Sequence, residues 1–563
     1  MDMYLRTTQR KNKDGSTVQY LHLAHNLRDP ETGMSTPHNI HNFGRADQLD
    51  REVLVRLCNS IARVCGVVVH DPTETGDQRA MGDAGLSDGV RLVTTVELGT
   101  ALVIEALWER LCIGEALRAA AKVSGCTVPY ERALLAMTAN RLCEPESKLG
   151  VWGRWLEKVY LPTCHGLKLA QMYEAMDLLY EHSASVEERV FFETANLFNL
   201  EVDVVFYDTT TATFSIDEED EDEDDEEGLR KFGRPKDGGW APQVVVALAV
   251  TREGLPVRSW VFPGNTADVT TVKRVKDDLK GWKLGRALFV GDSGMNSEES
   301  RKELAKACGT YLLAARAGSV KEIREEVLSR PGRYKVVSEN LQAKEVVVGD
   351  GVRRRRYIVC YNPKQAERER KHREKAVEQL EEELGRHQGR KATAQWAIEL
   401  KASGRYGRYL RITKGGNLEV DRTAIGAAAR FDGRWVVQTN DDTITAEDAA
   451  AGYKALLVIE RCFRSLKRTQ LKMTPMWHWL PRRIEAHVKI CVLALLIERV
   501  AERSLGLPWA RIRRCLAGIQ ASYFETDSHS FVERNELTTE HISTLKSLDI
   551  SPPKKILQVA TRS

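Results

Sequence analysis

The sequence predicts an α/β protein. Its core is a mixed sheet interrupted by an inserted subdomain and preceded by a β-hairpin and a helical region. Three observations carry that prediction. VDVVFYD from Val202, QVVVALAVT, VRSWVFPG and ALFVGD are short β-branched and aromatic runs bounded by turn residues, the form of buried strands. Helical periodicity alternates with the later runs, as it does in layered α/β domains. The stretch 318–433 then breaks the rhythm with a hairpin-like EVVVGDGVRRRRYIVCY and a charged helix over Lys364–His387.

Along the chain, 1–69 reads as a β-hairpin and a helix. MYLRTT and TVQYLHL flank a turn at Asp14-Gly15. The helix, Asp47–Cys65, aligns Leu49, Val53, Leu57 and Ile61 on one face. Residues 70–98 form a linker and a short strand, and 99–200 is helical, broken near Gly125, Pro145 and Pro162. The core occupies 201–317 and resumes over 434–505 after the insertion. There RWVVQTN leads into one long helix over Ala446–Arg468, and a second helix starts at Pro481, a residue suited to a first helical turn. A helical region and a polar, loosely held tail make up 506–563.

At 563 residues the chain has ample length for a large core. Its apolar runs, such as Val244–Val250 and Ile490–Ile497, are far too short to span a bilayer. The first residues lack the apolar segment of a signal peptide, and eleven cysteines without a CxxC pair point to reduced thiols in the cytoplasm. Asp217–Glu227 is an unbroken run of eleven acids; the net charge is +3, so the rest of the chain carries +14. A basic body suits a polyanionic partner, and eleven like charges in a row predict a disordered loop. His22/His25 and His38/His41 have metal-like spacing, but no cysteine pair completes a zinc site. No phosphate-binding glycine motif is present.

The chemistry concentrates in carboxylates. Asp208 ends VVFYD and Asp292 ends LFVGD, at the carboxyl ends of core strands where α/β sheets bind ligands. Glu460 sits in GYKALLVIERCFRSLKRTQ, where Tyr453, Glu460 and Lys467 are spaced by seven and share a helix stripe. Its neighbours Leu456, Leu457, Ile459, Phe463 and Leu466 predict a packed helix with Glu460 at the core edge. Three converging carboxylates repel unless a cation joins them. Oxygen ligands favour Mg²⁺ or Mn²⁺, and two such ions serve phosphodiester cleavage and joining. Arg461, Arg464, Lys467 and Arg468 stand beside the acids to hold a phosphate backbone. Trp477 and Trp479 offer stacking faces for a base.

The order VVFYDTTTATF, LPVRSWVFPGNTADVTT, LFVGDSGMNSEE, then Y-x2-L-x3-E-x6-K resembles the DDE transposases of bacterial insertion sequences, in their Y-R-E-K signature group. MWHWLPRRIEAHVKICVLALLI, LCEPESKL and the N-terminal hairpin are similar too, so the resemblance covers most of the chain. It implies an RNase H-like core with Asp208, Asp292 and Glu460 as the metal-binding triad, and an insertion before the glutamate helix. It also implies DNA contacts from Tyr453 and the basic residues, double-stranded DNA as partner (element ends and target), two protomers in the synaptic complex, and work on the bacterial nucleoid. The sequence departs from the pattern at Leu456, where the signature has arginine, and in the acidic run.

Two other readings compete. In a haloacid-dehalogenase-like phosphotransferase, Asp208 would be the nucleophile and VGDS the late metal motif, but Asn296 stands where that motif adds an aspartate. A transposase-derived DNA-binding protein without cleavage would keep the basic surface and have no use for the triad.

Overall fold

The computed structural model describes residues 3–11, 17–28, 35–45, 90–126, 129–216, 218–222, 228–316, 320–387 and 395–561. The chain forms two units, 1–91 and 92–563.

In the first unit, β1 (Met3–Lys11), β2 (Thr17–Arg28) and β3 (Ser35–Arg45) form an antiparallel sheet in chain order. Lys11 pairs with Thr17, so the turn expected at Asp14-Gly15 lies between them, outside the described residues. The third strand extends the expected hairpin. Thr8 Oγ1 lies 2.9 Å from His22 Nε2, a partner for one of the histidines with metal-like spacing. The helix expected over Asp47–Cys65 falls outside the described residues, as does 70–89 of the linker.

The second unit begins one residue into β4 (Arg91–Glu97), which leads into a helical layer. This comprises α1 (Gly99–Arg110), α2 (Ile113–Val123), α3 (Tyr130–Cys143), α4 (Leu169–Glu181) and α5 (Ser183–Leu197). Its breaks fall near Gly125, Pro145 and Pro162, as the turn residues predict.

The sheet then begins as a meander. β5 (Val204–Thr213) pairs with β7 (Ala241–Val250), and β7 pairs with short β6 (Lys231–Gly233) and with β8 (Pro256–Pro263), all antiparallel. Next, α6 (Asp268–Gly281) leads to β9 (Leu288–Gly291), and α7 (Glu298–Ala305) to β10 (Tyr311–Ala315). β9 lies parallel to β5, and β10 parallel to β9. Parallel neighbours need such crossovers, which cover the sheet and make its strands apolar on both faces.

The stretch expected as a separate subdomain is divided. β11 (Lys335–Ser338), β12 (Leu341–Val348) and β13 (Arg355–Tyr361) extend the core sheet, because β13 pairs with β16 (Arg434–Thr439), itself antiparallel to β10. The remainder is a lobe of α8 (Pro363–Arg386), α9 (Gln395–Ala402), the β14 (Leu410–Ile412) and β15 (Leu418–Val420) pair, and α10 (Arg422–Ala429). It has its own apolar cluster around Leu380, Tyr409 and Leu410.

The single helix expected over Ala446–Arg468 is three pieces: α11 (Ala446–Lys454), α12 (Leu457–Arg464) and a π-turn over Ser465–Thr469. Val458 N–H bonds to Ala455 O and Ile459 N–H to Leu456 O, i to i+3 contacts that tighten the chain at the first break. α13 (Pro481–Leu505) begins at a proline and ends at Gly506, whose φ of 64° terminates it. Its run Ile490–Ile497 is buried all round against α3, α4 and β8.

The tail is not loose. After α14 (Trp509–Leu516), β17 (Gln520–Glu525), β18 (His529–Arg534), α15 (Thr539–Ser547) and β19 (Ile556–Thr561) fold back, and the three strands join β4 in a sheet of order β19-β18-β17-β4. Phe524 and Phe531 stack across it with centroids 5.1 Å apart. Among the described residues no helix is long and apolar enough to cross a membrane.

Candidate active site

β5 and β9 are parallel neighbours with Phe206 opposite Val290. Asp208 and Asp292 each follow two residues later, so they stand side by side and leave the sheet on the face that Phe206 and Val290 share. The helices α11, α12 and α13 pack on that face through Ala449, Ile459 and Ile490. Asp208 Oδ1 accepts the Thr209 N–H at 2.7 Å, and Asp292 Oδ1 accepts the Gly294 N–H at 2.8 Å. The second bond caps the turn that follows β9.

Sequence reasoning missed a third acid here. Asp268, the first residue of α6, accepts a 2.5 Å bond from Thr209 Oγ1. Lys236 Nζ stands 3.4 Å from Asp208 Oδ1 and 3.9 Å from Asp268 Oδ2, and donates to Thr209 O at 2.5 Å. A Cβ at Gly294 would meet Asp292 Oδ1 at 3.1 Å and Asp268 Oδ2 at 3.2 Å, so glycine lets these two carboxylates approach. Burial raises the Asp208 pKa to about 6, with Asp292 and Asp268 adding to the rise and Lys236 opposing it. In the sequence Asp268 looks like an ordinary first-turn acid, although it lies in the GNTADVTT segment that carries part of the resemblance.

Tyr453 is half-buried on α11. Burial comes first, then Asp292, Asp208 and Glu460, in holding its phenol well above the usual range. All three expected acids therefore act electrostatically on one side chain. Glu460 itself is exposed on the first turn of α12, a correction to its expected place at the core edge. Ile459, Phe463 and Leu466 bury as expected, but Leu457 is 48% exposed. The apolar face and the carboxylate thus point apart.

Among the described residues, no three His, Cys, Asp or Glu side chains meet closely enough to hold a metal ion. The donor chemistry nonetheless fits a hard divalent cation. Asp208, Asp268 and Asp292 offer only oxygen, and an ammonium already balances two of them.

The basic residues divide. Lys467 Nζ is 2.6 Å from Asp237, and Arg468 pairs with the same carboxylate. Arg461 and Arg464 are exposed, with no ion-pair partner among the described residues. Leu456, at the signature arginine's position, is 8% exposed and belongs to the core. The acidic run also departs from expectation. Glu219 accepts the Phe232 N–H at 2.9 Å, Asp220 pairs with Arg230, and Asp222 with Lys231 at 2.7 Å. Like-charge repulsion overlooked the cations just downstream. Residues 223–227 of the run lie outside the described residues.

Asp208 was expected at a strand end but lies mid-strand, since β5 runs on to Thr213; it stands just past the β5–β9 pairing, and Asp292 just past the end of β9. This mixed sheet, with a glutamate helix packed on the same face, defines an RNase H-like core. The chain belongs to the DDE transposases: the family model "Transposase DDE domain" matches residues 206–497. A second model, "IS1634 family transposase, N-terminal domain", matches 5–72. No curated protein matches. Among solved structures, the chain is similar to a piggyBac transposase in a synaptic complex with hairpin DNA, with a TM-score of 0.34 and 10% identity over 74% of this chain and 79% of that one. The protein is thus a DNA transposase, an enzyme that cuts and transfers DNA, and the phosphotransferase reading falls.

Proposed function

We propose that this transposase cuts the ends of an insertion sequence and joins the freed 3′-hydroxyls to target DNA, with Asp208, Asp292 and Glu460 as its catalytic carboxylates. The observation that carries the reading is the parallel pairing of Phe206 on β5 with Val290 on β9, two residues before Asp208 and Asp292 respectively. Bound Mg²⁺ or Mn²⁺, in a pair of ions, would activate the attacking oxygen and stabilise the leaving one. Asp208 and Asp292 would hold the cation from the sheet, with Glu460 on α12 as the third carboxylate. Lys236, 3.4 Å from Asp208 Oδ1, balances the carboxylate charge that a divalent ion would otherwise balance, and the two cations would repel each other.

Tyr453, Arg461, Arg464, Lys467 and Arg468 line the approach of the DNA backbone in this reading. Phosphate replaces Asp237 as the partner of Lys467 and Arg468. The N-terminal unit and the helical layer over 99–200 grip the element ends, and two protomers bring two ends together on the bacterial nucleoid.

The test uses DNA carrying the inverted repeats that flank the gene. Asp208→Asn, Asp292→Asn and Glu460→Gln should each lower Mg²⁺-dependent cleavage on the order of 1000-fold or more, while DNA binding persists. Cleavage surviving in one variant removes that residue from the site.

A further inference from the structure

A second concave site lies between the helical layer and the segment after the π-turn. Its cavity of about 430 Å³ is lined by Arg141, Lys148, Lys472, Trp477, His478 and His487, among others. Most of it comes from Arg141–Leu149 and Lys472–His487, segments that contain none of the three carboxylates Asp208, Asp292 and Glu460.

Its charge is one-sided. Arg141 and Lys148 are 4% and 3% exposed, yet neither has a carboxylate partner among the described residues. Arg141 donates to Lys472 O at 3.3 Å, to Asn140 Oδ1 at 3.1 Å and to Glu146 O, while its Nε is buried without a hydrogen bond. Lys148 Nζ is 2.9 Å from His487 Nδ1, and His487 Nε2 is 3.0 Å from Met473 O. A neutral imidazole protonated at Nε2 satisfies both contacts. It leaves two of the three ammonium hydrogens without a described acceptor. The one acid in the lining, Glu146, is held by Arg154 at 2.8 Å.

Buried cations without a countercharge are expensive, and the site shows the strain electrostatically. Burial, then Arg141, pushes the Lys148 pKa down to about 7. Burial, then Lys148, pushes His478 down to about 3. An anion in the cavity would relieve both. At the mouth, Trp477 is 66% exposed, a large flat surface left uncovered beside the cations. Phosphate with an attached base meets both features, since the charge enters the cavity and the base lies on the indole.

We infer that this cavity binds a phosphate of a DNA strand, away from the cleavage carboxylates, with Arg141 and Lys148 as its cationic floor and Trp477 as a stacking platform for the adjoining base. It goes beyond the cleavage reading and does not depend on the triad assignment.

The experiment uses the full chain. Inorganic phosphate, compared with chloride at equal ionic strength, should raise the thermal midpoint of the wild type but not of Lys148→Met. Lys148→Met should also bind an end oligonucleotide more weakly, with the salt slope smaller by about 1, as for one lost phosphate contact. Trp477→Ala, at an exposed position that does not threaten folding, should weaken oligonucleotide binding and leave the response to inorganic phosphate intact. If Lys148→Met fails to fold, phosphate protection of the wild type and the Trp477→Ala result decide alone. No phosphate-specific protection of the wild type overturns the inference. So does oligonucleotide binding unchanged in Trp477→Ala or in folded Lys148→Met, which would leave a site for free phosphate only.

Discussion

Lys236 stands 3.4 Å from Asp208 Oδ1, and the next residue, Asp237, stands 2.6 Å from Lys467 Nζ. One dipeptide thus sets a cation against Asp208 and an anion against Lys467. Lys236→Met should raise Mn²⁺ affinity on the order of tenfold, since no ammonium then competes for the carboxylates. Calorimetric titration reads it directly, and unchanged affinity would mean that Lys236 does not oppose the ion.

Asp237→Asn should release Lys467 and Arg468 and tighten DNA binding most in dilute buffer, where screening is weakest. Lys467→Ala should do the reverse and shrink the salt slope by about 1. Fluorescence anisotropy across a salt series distinguishes the two. Parallel slopes would make Lys467 a purely structural partner of Asp237.

At 8% exposure, Leu456 is no vacant place for the signature arginine. Leu456→Arg should drive a guanidinium into the core and cost about 2–4 kcal/mol, lowering the thermal midpoint before it changes any product. A variant as stable as the wild type would show that the break between α11 and α12 can turn this side chain outward.

Glu498, 3% exposed on α13, accepts a 2.6 Å bond from Ser465 Oγ in the π-turn after Glu460. Burial raises its pKa from 4.5 to about 7, against the favourable pull of Arg499. The folded state therefore holds this proton more tightly than the unfolded one. Its contribution to stability is full below about pH 4.5 and is lost as pH rises through about 7, by up to about 3 kcal/mol. Glu498→Gln should raise the thermal midpoint near pH 8 and leave it little changed near pH 5. Equal shifts at both pH values would rule out proton linkage.

The core strands could be read in the sequence because each is a short apolar run ended by turn residues, and strand-end acids mark the crevice of such sheets. That rule picks out Asp208 and Asp292, although Asp208 lies in mid-strand: what it follows is the end of the β5–β9 pairing at Phe206, not the end of β5. Asp268 and Lys236 did not, because an acid in a helix's first turn and a lysine in a glycine-rich loop look ordinary until the fold brings them together. The break at Ala455–Leu456 carries neither glycine nor proline, so helical periodicity ran straight through it. The pairing of β13 with β16 bridges α8, α9 and α10, a long-range contact that no local pattern reports. The tail escapes a local reading because its strands are only six residues each and close on β4, more than 400 residues earlier in the chain.

β4 ends at Glu97, and the strand that covers its edge, β17, begins at Gln520, about 420 residues later. At roughly 5–20 residues per second, a ribosome needs about 20–85 s to cross that interval. For all of it the nascent chain carries an unpaired strand edge, with Leu92 and Val93 on it, while the helices and the catalytic sheet are already being made. Closure of this sheet is therefore a late event in biogenesis, and a polypeptide released before Gln520 would keep an adhesive edge open to other chains.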